Sequence, residues 1–231
     1  MYKGKNSTSV AKAKTYYKSC MDKQAVESLG IVPALELIKQ LGSWTVTSDP
    51  VSGTWQESSW NFLDSLLVIH KLNLPAFFHL TVGQDDMHSD QNIITFQQSG
   101  LTLGEREEYT GNHTEKYKTA FLGFSTRMGE LLGGDNSTRD KMTKVYDLEK
   151  SLAEIFMPKE ELVDPVAIYH KMTLEEFQTI IGSQFTVKTH VDKLFKANIP
   201  LSEEIVVYTV DYFKSLAASS KHPRVKCWPT I

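Results

Sequence analysis

Apolar residues at 10, 13, 17 and 20 recur at intervals of three or four, which predicts a helix running toward Gly30, a residue free to take the positive φ of a helix C-terminus. Pro33 suits a first helical position, Leu35, Ile38 and Leu41 then share a face, and Gly42 closes this second arm of a helical hairpin. In ESSWNFLDSLLVIHK, residues 57–71, Trp60, Leu63, Leu67 and His70 form one stripe with further apolar residues beside it, so that helix is expected to bury a wide face. The period then changes. AFFHLTV at 76–82 and NIITFQ at 92–97 are rich in aromatic and β-branched residues and flank the polar GQDDMHSDQ, which predicts a β-hairpin with a long solvated turn.

Two long helices follow. Tyr117, Phe121, Phe124, Met128 and Leu131 carry the first up to Gly133-Gly134, with the aromatic stripe at 117, 121 and 124 read as core. Met142, Val145, Leu148, Leu152 and Ile155 carry the second until Pro158, and the short connection predicts antiparallel packing. Thr173 and Glu176 have the spacing of a capping box ahead of Phe177 and Ile181. HVDKLFKAN adds a short helix, IVVYTV at 205–210 is a candidate third strand, and DYFKSLAA begins a last helix near Asp211. The expected fold is mainly α, a helical bundle-like domain with a small β-hairpin.

At 231 residues the chain can bury a substantial core without staples, and 41% apolar with 23% charged residues excludes a disordered or fibrous class. A net charge of −3 gives no reason to expect nucleic acid as a partner. No apolar run approaches the ~20 residues a membrane helix needs. The opening MYKGKNST has no leader core, which fits a cytosolic chain or a mature secreted one. Asn6, Asn112 and Asn136 stand in N-x-S/T sequons within polar stretches, as glycan acceptors of a secreted protein would, or as unused surface asparagines.

Motifs for chemistry are missing. No His is followed by Glu and no two of the seven histidines lie four apart, so the two-imidazole helix of a zinc peptidase is absent. His70, His79 and His88 fall on a helix, a strand and a loop with no shared face. Asp85, Asp86 and Asp90 lack the glycine and bidentate glutamate of a calcium loop. Cys20 lies late in a predicted helix, whose negative end works against a reactive thiolate. No phosphate-binding glycine loop, nucleophile elbow or C-x-x-C pair occurs.

The series AKTYYKSCMDKQAVESLGIVPALELIKQLGSW resembles the amino-terminal part of the ectodomain of the neprilysin and endothelin-converting-enzyme family of zinc endopeptidases. Further blocks keep the family's order: FHLTVGQDDMHSDQNIITFQQSGLTLGEREEY, VYDLEKSLAEI, DPVAIYHKMTLEEF and EIVVYTVDYFKSL. The resemblance spans about residues 10–216, so the organisation is read as a neprilysin-like segment at 1–216 with a divergent tail at 217–231. It implies two largely helical lobes around a chamber, this segment belonging to the lobe that covers the active site and restricts substrate size.

The family's His-Glu-x-x-His helix, later zinc-binding glutamate and substrate-binding residues have no counterpart here, so the resemblance implies no catalytic residue, no metal ligand and no cofactor in this chain. Cys20 matches a cysteine that is disulfide-bonded to a later residue in the family, and Cys227 in the tail, or a cysteine of another chain, is the candidate substitute partner. The leading expectation is a secreted, glycosylated, non-catalytic covering-lobe protein acting by binding an unidentified peptide or protein. The alternatives are the amino-terminal segment of an active zinc endopeptidase, and a decoy or inhibitor.

Overall fold

The computed structural model describes residues 7–47, 49–183 and 185–219. The chain opens on three helices, α1 (Thr8–Met21), α2 (Lys23–Leu29) and α3 (Val32–Gln40). The first predicted helix is in fact two, because the Asp22 side chain accepts from the Ala25 N–H at 3.0 Å and starts a new helix where the old one would continue. Gly30 then turns the chain at φ 54°. Neither α1 nor α2 has a buried residue, and Tyr17, Met21, Val26 and Leu29 lie exposed along them.

Helix α4 (Phe62–Lys71) is capped by Asn61 and docked onto the end of α3 by two donors to the Leu41 carbonyl, Trp60 Nε1 at 3.0 Å and Ser65 Oγ at 2.8 Å. Close approach explains Gly42 there: a Cβ would stand 2.6 Å from Trp60 Cδ1. The expected hairpin follows as β1 (Phe78–Gln84) and β2 (Asn92–Gln98), then the single turn α5 (Glu107–Thr110) and the long pair α6 (Thr114–Leu131) and α7 (Thr138–Ile155). Strand β3 (His170–Thr173) runs into α8 (Leu174–Ile181), and α9 (Val187–Phe195), β4 (Glu204–Val207) and α10 (Val210–Ser219) complete the order. The capping box is formed as expected, Glu176 N–H to Thr173 Oγ1 at 3.2 Å and Thr173 N–H to Glu176 at 2.7 Å.

The expected hairpin and third strand belong to a four-stranded sheet of order β1-β2-β4-β3, with β4 parallel to β2 and antiparallel to β3. Burial on both faces fits the central places of β2 and β4, whose residues 93–96 and 205–207 are buried without a break. Strand β3 escaped notice because HKMT offers four residues and no apolar alternation. Phe78, Leu80, Ile94, Phe96, Ile205 and Val207 meet α4, α8, α9 and α10 in the larger core, and α7 lends it Leu152. A smaller core joins Tyr109, Phe121, Leu122, Met142 and Tyr146 beneath Val46.

One expectation about α6 is corrected. Phe124, Met128 and Leu131 are exposed, and the buried face is instead Phe121, Leu122 and Gly129. Gly129 sits where α7 begins, against Thr138, so backbone proximity rather than a large side chain makes that contact.

Candidate functional site

A cleft of about 550 Å³ lies at one end of the sheet between the loop after β2, the segment after α7 and the start of α10. Its walls are held by polar bonds. Gln98 Nε2 donates to the Met157 carbonyl at 3.0 Å and its Oε1 accepts from the Met157 N–H at 2.7 Å, while the Gln98 N–H donates to Thr209 Oγ1 at 2.8 Å. The loop is anchored from below by Glu149, a buried carboxylate of α7 that accepts from Thr102 N–H at 2.9 Å, Thr102 Oγ1 at 2.6 Å and the Tyr109 hydroxyl. Burial, then this carboxylate, pushes the Tyr109 ionisation far above its ordinary value. The charged rim is self-neutralised, Lys159 lying 3.3 Å from Glu105 and Arg106 3.9 Å from Glu107.

Beside the cleft, the β1–β2 turn is tied to the far side of the sheet. Asp85 is only 1% exposed, which corrects the expectation of a solvated turn. Burial works against its charge, but the Met87 N–H, the Tyr169 hydroxyl at 2.9 Å and His88 outweigh it and hold the carboxyl below its ordinary value. Burial and the same carboxylate push Tyr169 up to about 12. Tyr208, which lines the cleft, donates to Asp86 at 2.7 Å, and Lys171 on β3 pairs with Glu204 on β4 at 2.7 Å.

A second polar contact lies inside the larger core. His70 of α4 and His190 of α9 are both buried and meet at 2.8 Å, Nδ1 to Nε2. This pair was not read from the sequence. The available signal was that each occupies the apolar face of its helix, beside Leu66 and Leu67 in one case and Val187 and Val191 in the other.

The donor sets do not fit a catalytic zinc. The two ring nitrogens are bonded to each other, and among the described residues no group of three or more His, Cys, Asp or Glu side chains could hold a metal ion. No reaction step is therefore assigned to a metal within this chain.

The residues singled out in the sequence are not brought together. Cys20 is exposed near the end of α1. Asn112 and Asn136 are exposed in turns before α6 and α7. Asn6 and Cys227 lie outside the described residues, as does most of the divergent tail.

The sequence profile of peptidase family M13, in its amino-terminal part, matches residues 1–226. The chain belongs to peptidase family M13. Rat endothelin-converting enzyme 1 is 36% identical over 222 residues, covering 92% of this chain and 28% of that protein. Human membrane metallo-endopeptidase-like 1 is 33% identical over 232 residues, again 92% of this chain and 29% of the relative. This M13 chain thus spans less than a third of the curated relatives it matches. Its fold is shared with the zinc metalloprotease Zmp1 of Mycobacterium tuberculosis in the open state, at a TM-score of 0.74 and 22% identity over 92% of this chain and 31% of that one. The M13 family is zinc-dependent, and its catalytic zinc site does not belong to this amino-terminal region. No helix among the described residues is long and apolar enough to cross a membrane.

Proposed function

We propose that this chain is a non-catalytic M13 covering-lobe protein that works outside the cell by binding. The observation that carries this reading is an M13 match over residues 1–226 in a sequence that contains no His-Glu-x-x-His. Such a lobe restricts access and holds a peptide or protein partner without supplying a zinc-activated water. The cleft beside Gln98 and Tyr208, with apolar walls from Phe156, Met157 and Leu162, is the surface best shaped for that contact. In this reading Asn6, Asn112 and Asn136 carry glycans and Cys20 pairs with Cys227. Incubation of the purified chain with zinc and a fluorogenic peptide panel should give no turnover; chelator-sensitive cleavage would overturn the proposal. Intact mass before and after deglycosylation and reduction reads the modifications.

A second reading has one observation in its favour. The exposed apolar residues of α1 and α2, Tyr17, Met21, Val26 and Leu29, have no cover among the described residues, as expected of a segment that packs against more polypeptide in an active zinc endopeptidase. Transcript sequencing across the region encoding Ile231 separates the two: an open frame reaching His-Glu-x-x-His selects this second reading.

A further inference from the structure

The buried histidine pair carries an inference of its own, independent of the reading above. His70 Nε2 lies 3.2 Å from the Ala76 carbonyl, which can only accept, so that nitrogen bears the proton. The neutral ring is then bare at Nδ1 and must accept. Across 2.8 Å the donor is therefore His190 Nε2–H. Two neutral imidazoles in fixed tautomers join α4 to α9, wedged among the rings of Phe78, 4.8 Å from His70, and Phe185, 5.2 Å from His190.

A proton added to this pair has poor options. One added proton puts a cation among apolar rings, and a second places two N–H groups face to face with like charges. The surrounding charges do not help. Lys71 and Asp64 come from α4, Lys193 from α9 and His79 from β1; Asp64, the carboxylate among them, is exposed and already lies 3.5 Å from Lys193. Burial holds both rings below the ordinary imidazole range; at His70 it outweighs the backbone bonds to Ala76 and Phe78, which favour the charged form, and at His190 it is joined by His70, Lys193 and Lys71 and takes the ring down to about 3. Each imidazole borders a cleft, His190 one of about 220 Å³ and His70 one of about 410 Å³, so little packing has to part before water meets the pair.

We propose that the His70–His190 bond is an acid-sensitive latch whose protonation in mildly acidic solution parts α4 from α9 and uncovers Phe78 and Phe185 while the α6–α7 pair stays closed. The closed seam excludes protons and the open one accepts them, so acid favours opening. Unlike an exposed histidine, this pair couples its charge to helix packing. The α5–α6–α7 core contains no histidine at its centre and gives an internal reference.

Hydrogen exchange of the full chain at pH 7.5 and pH 5, corrected for intrinsic rates, tests this. Peptides over Phe62–Lys71 and Val187–Phe195 should lose protection about 30-fold at pH 5 for each histidine that charges to an ordinary pKa of about 6.5 on opening, with α6 and α7 unchanged. The double variant His70→Gln/His190→Gln keeps donors and acceptors without the titration and should abolish the acid response. Unchanged protection of both segments at pH 5, or the same loss in the double variant, would overturn the latch. Should that variant not fold, imidazole NMR of the unmodified chain decides: both rings should charge together with loss of α4 and α9 protection, whereas independent titration with the helices still protected would refute it.

Discussion

Gln98 and Met157 exchange two hydrogen bonds, side-chain amide to main chain, at 3.0 and 2.7 Å. The amide thus pairs with backbone as a strand would, and joins the end of β2 to the segment leaving α7. A carboxylate cannot reproduce this, because one of its oxygens would face the Met157 carbonyl. Gln98→Glu should cost about 1–3 kcal/mol at neutral pH through an unsatisfied acceptor pair, read from urea midpoints with an unchanged slope. Full stability in that variant would show that the bond contributes nothing net.

The Glu149 carboxylate is a nearby case in which charge is buried but fully engaged. Tyr109→Phe removes its hydroxyl donor while keeping the ring that packs 5.5 Å from Tyr146. A loss of about 1.5–3 kcal/mol is expected for a hydrogen bond to a charged group. Alkaline difference absorbance adds a check: Tyr109 should resist ionisation until the fold opens, and a step in the ordinary tyrosine range that vanishes in Tyr109→Phe would contradict the buried pairing.

Asp85 predicts the acid limb of stability. Its folded carboxyl titrates below the ordinary value of 3.8, so its contribution is present above that value and is lost as pH falls through the lower folded one. Asp85→Asn should lower stability at neutral pH and flatten the decline below about pH 4, in thermal melts across the acid range. The histidine latch acts at higher pH, so the two transitions are separable in a single titration.

Two glycines on the same helix should respond oppositely to alanine. A Cβ at Gly129 would lie 2.5 Å from Thr138 Cγ2 and 3.2 Å from Val46 Cγ1, forcing α6 away from α7, whereas a Cβ at exposed Gly123 meets nothing within 4 Å. Gly129→Ala should destabilise by about 1–3 kcal/mol and Gly123→Ala should stabilise by up to ~1 kcal/mol through helix propensity. Equal effects of the two changes on chemical-denaturation midpoints would rule out the close packing.

Much of the local structure was legible in the chain. The stripe through Leu63, Leu67 and His70 marked α4, the period change at 76 marked β1, and Thr173 with Glu176 marked the start of α8. Exposure was harder to read: Phe124 has the spacing of a core residue and points to solvent, because α6 turns its small side, Gly129, to its neighbours. The cleft was not legible at all. Gln98, Met157 and Thr209 are unremarkable in sequence and become walls of one surface only when β2, the end of α7 and the start of α10 converge.

By itself, then, the sequence determined helix and strand periods, caps, turn positions and the M13 resemblance, because these depend on neighbours within a few residues or on ordered local motifs. Only the tertiary structure decided that β4 enters between β2 and β3, that Asp85 is buried under Tyr169, and that His70 meets His190 across 120 residues. Such pairings are set by the path of the whole chain and by which apolar faces it can bury together. No local pattern encodes them.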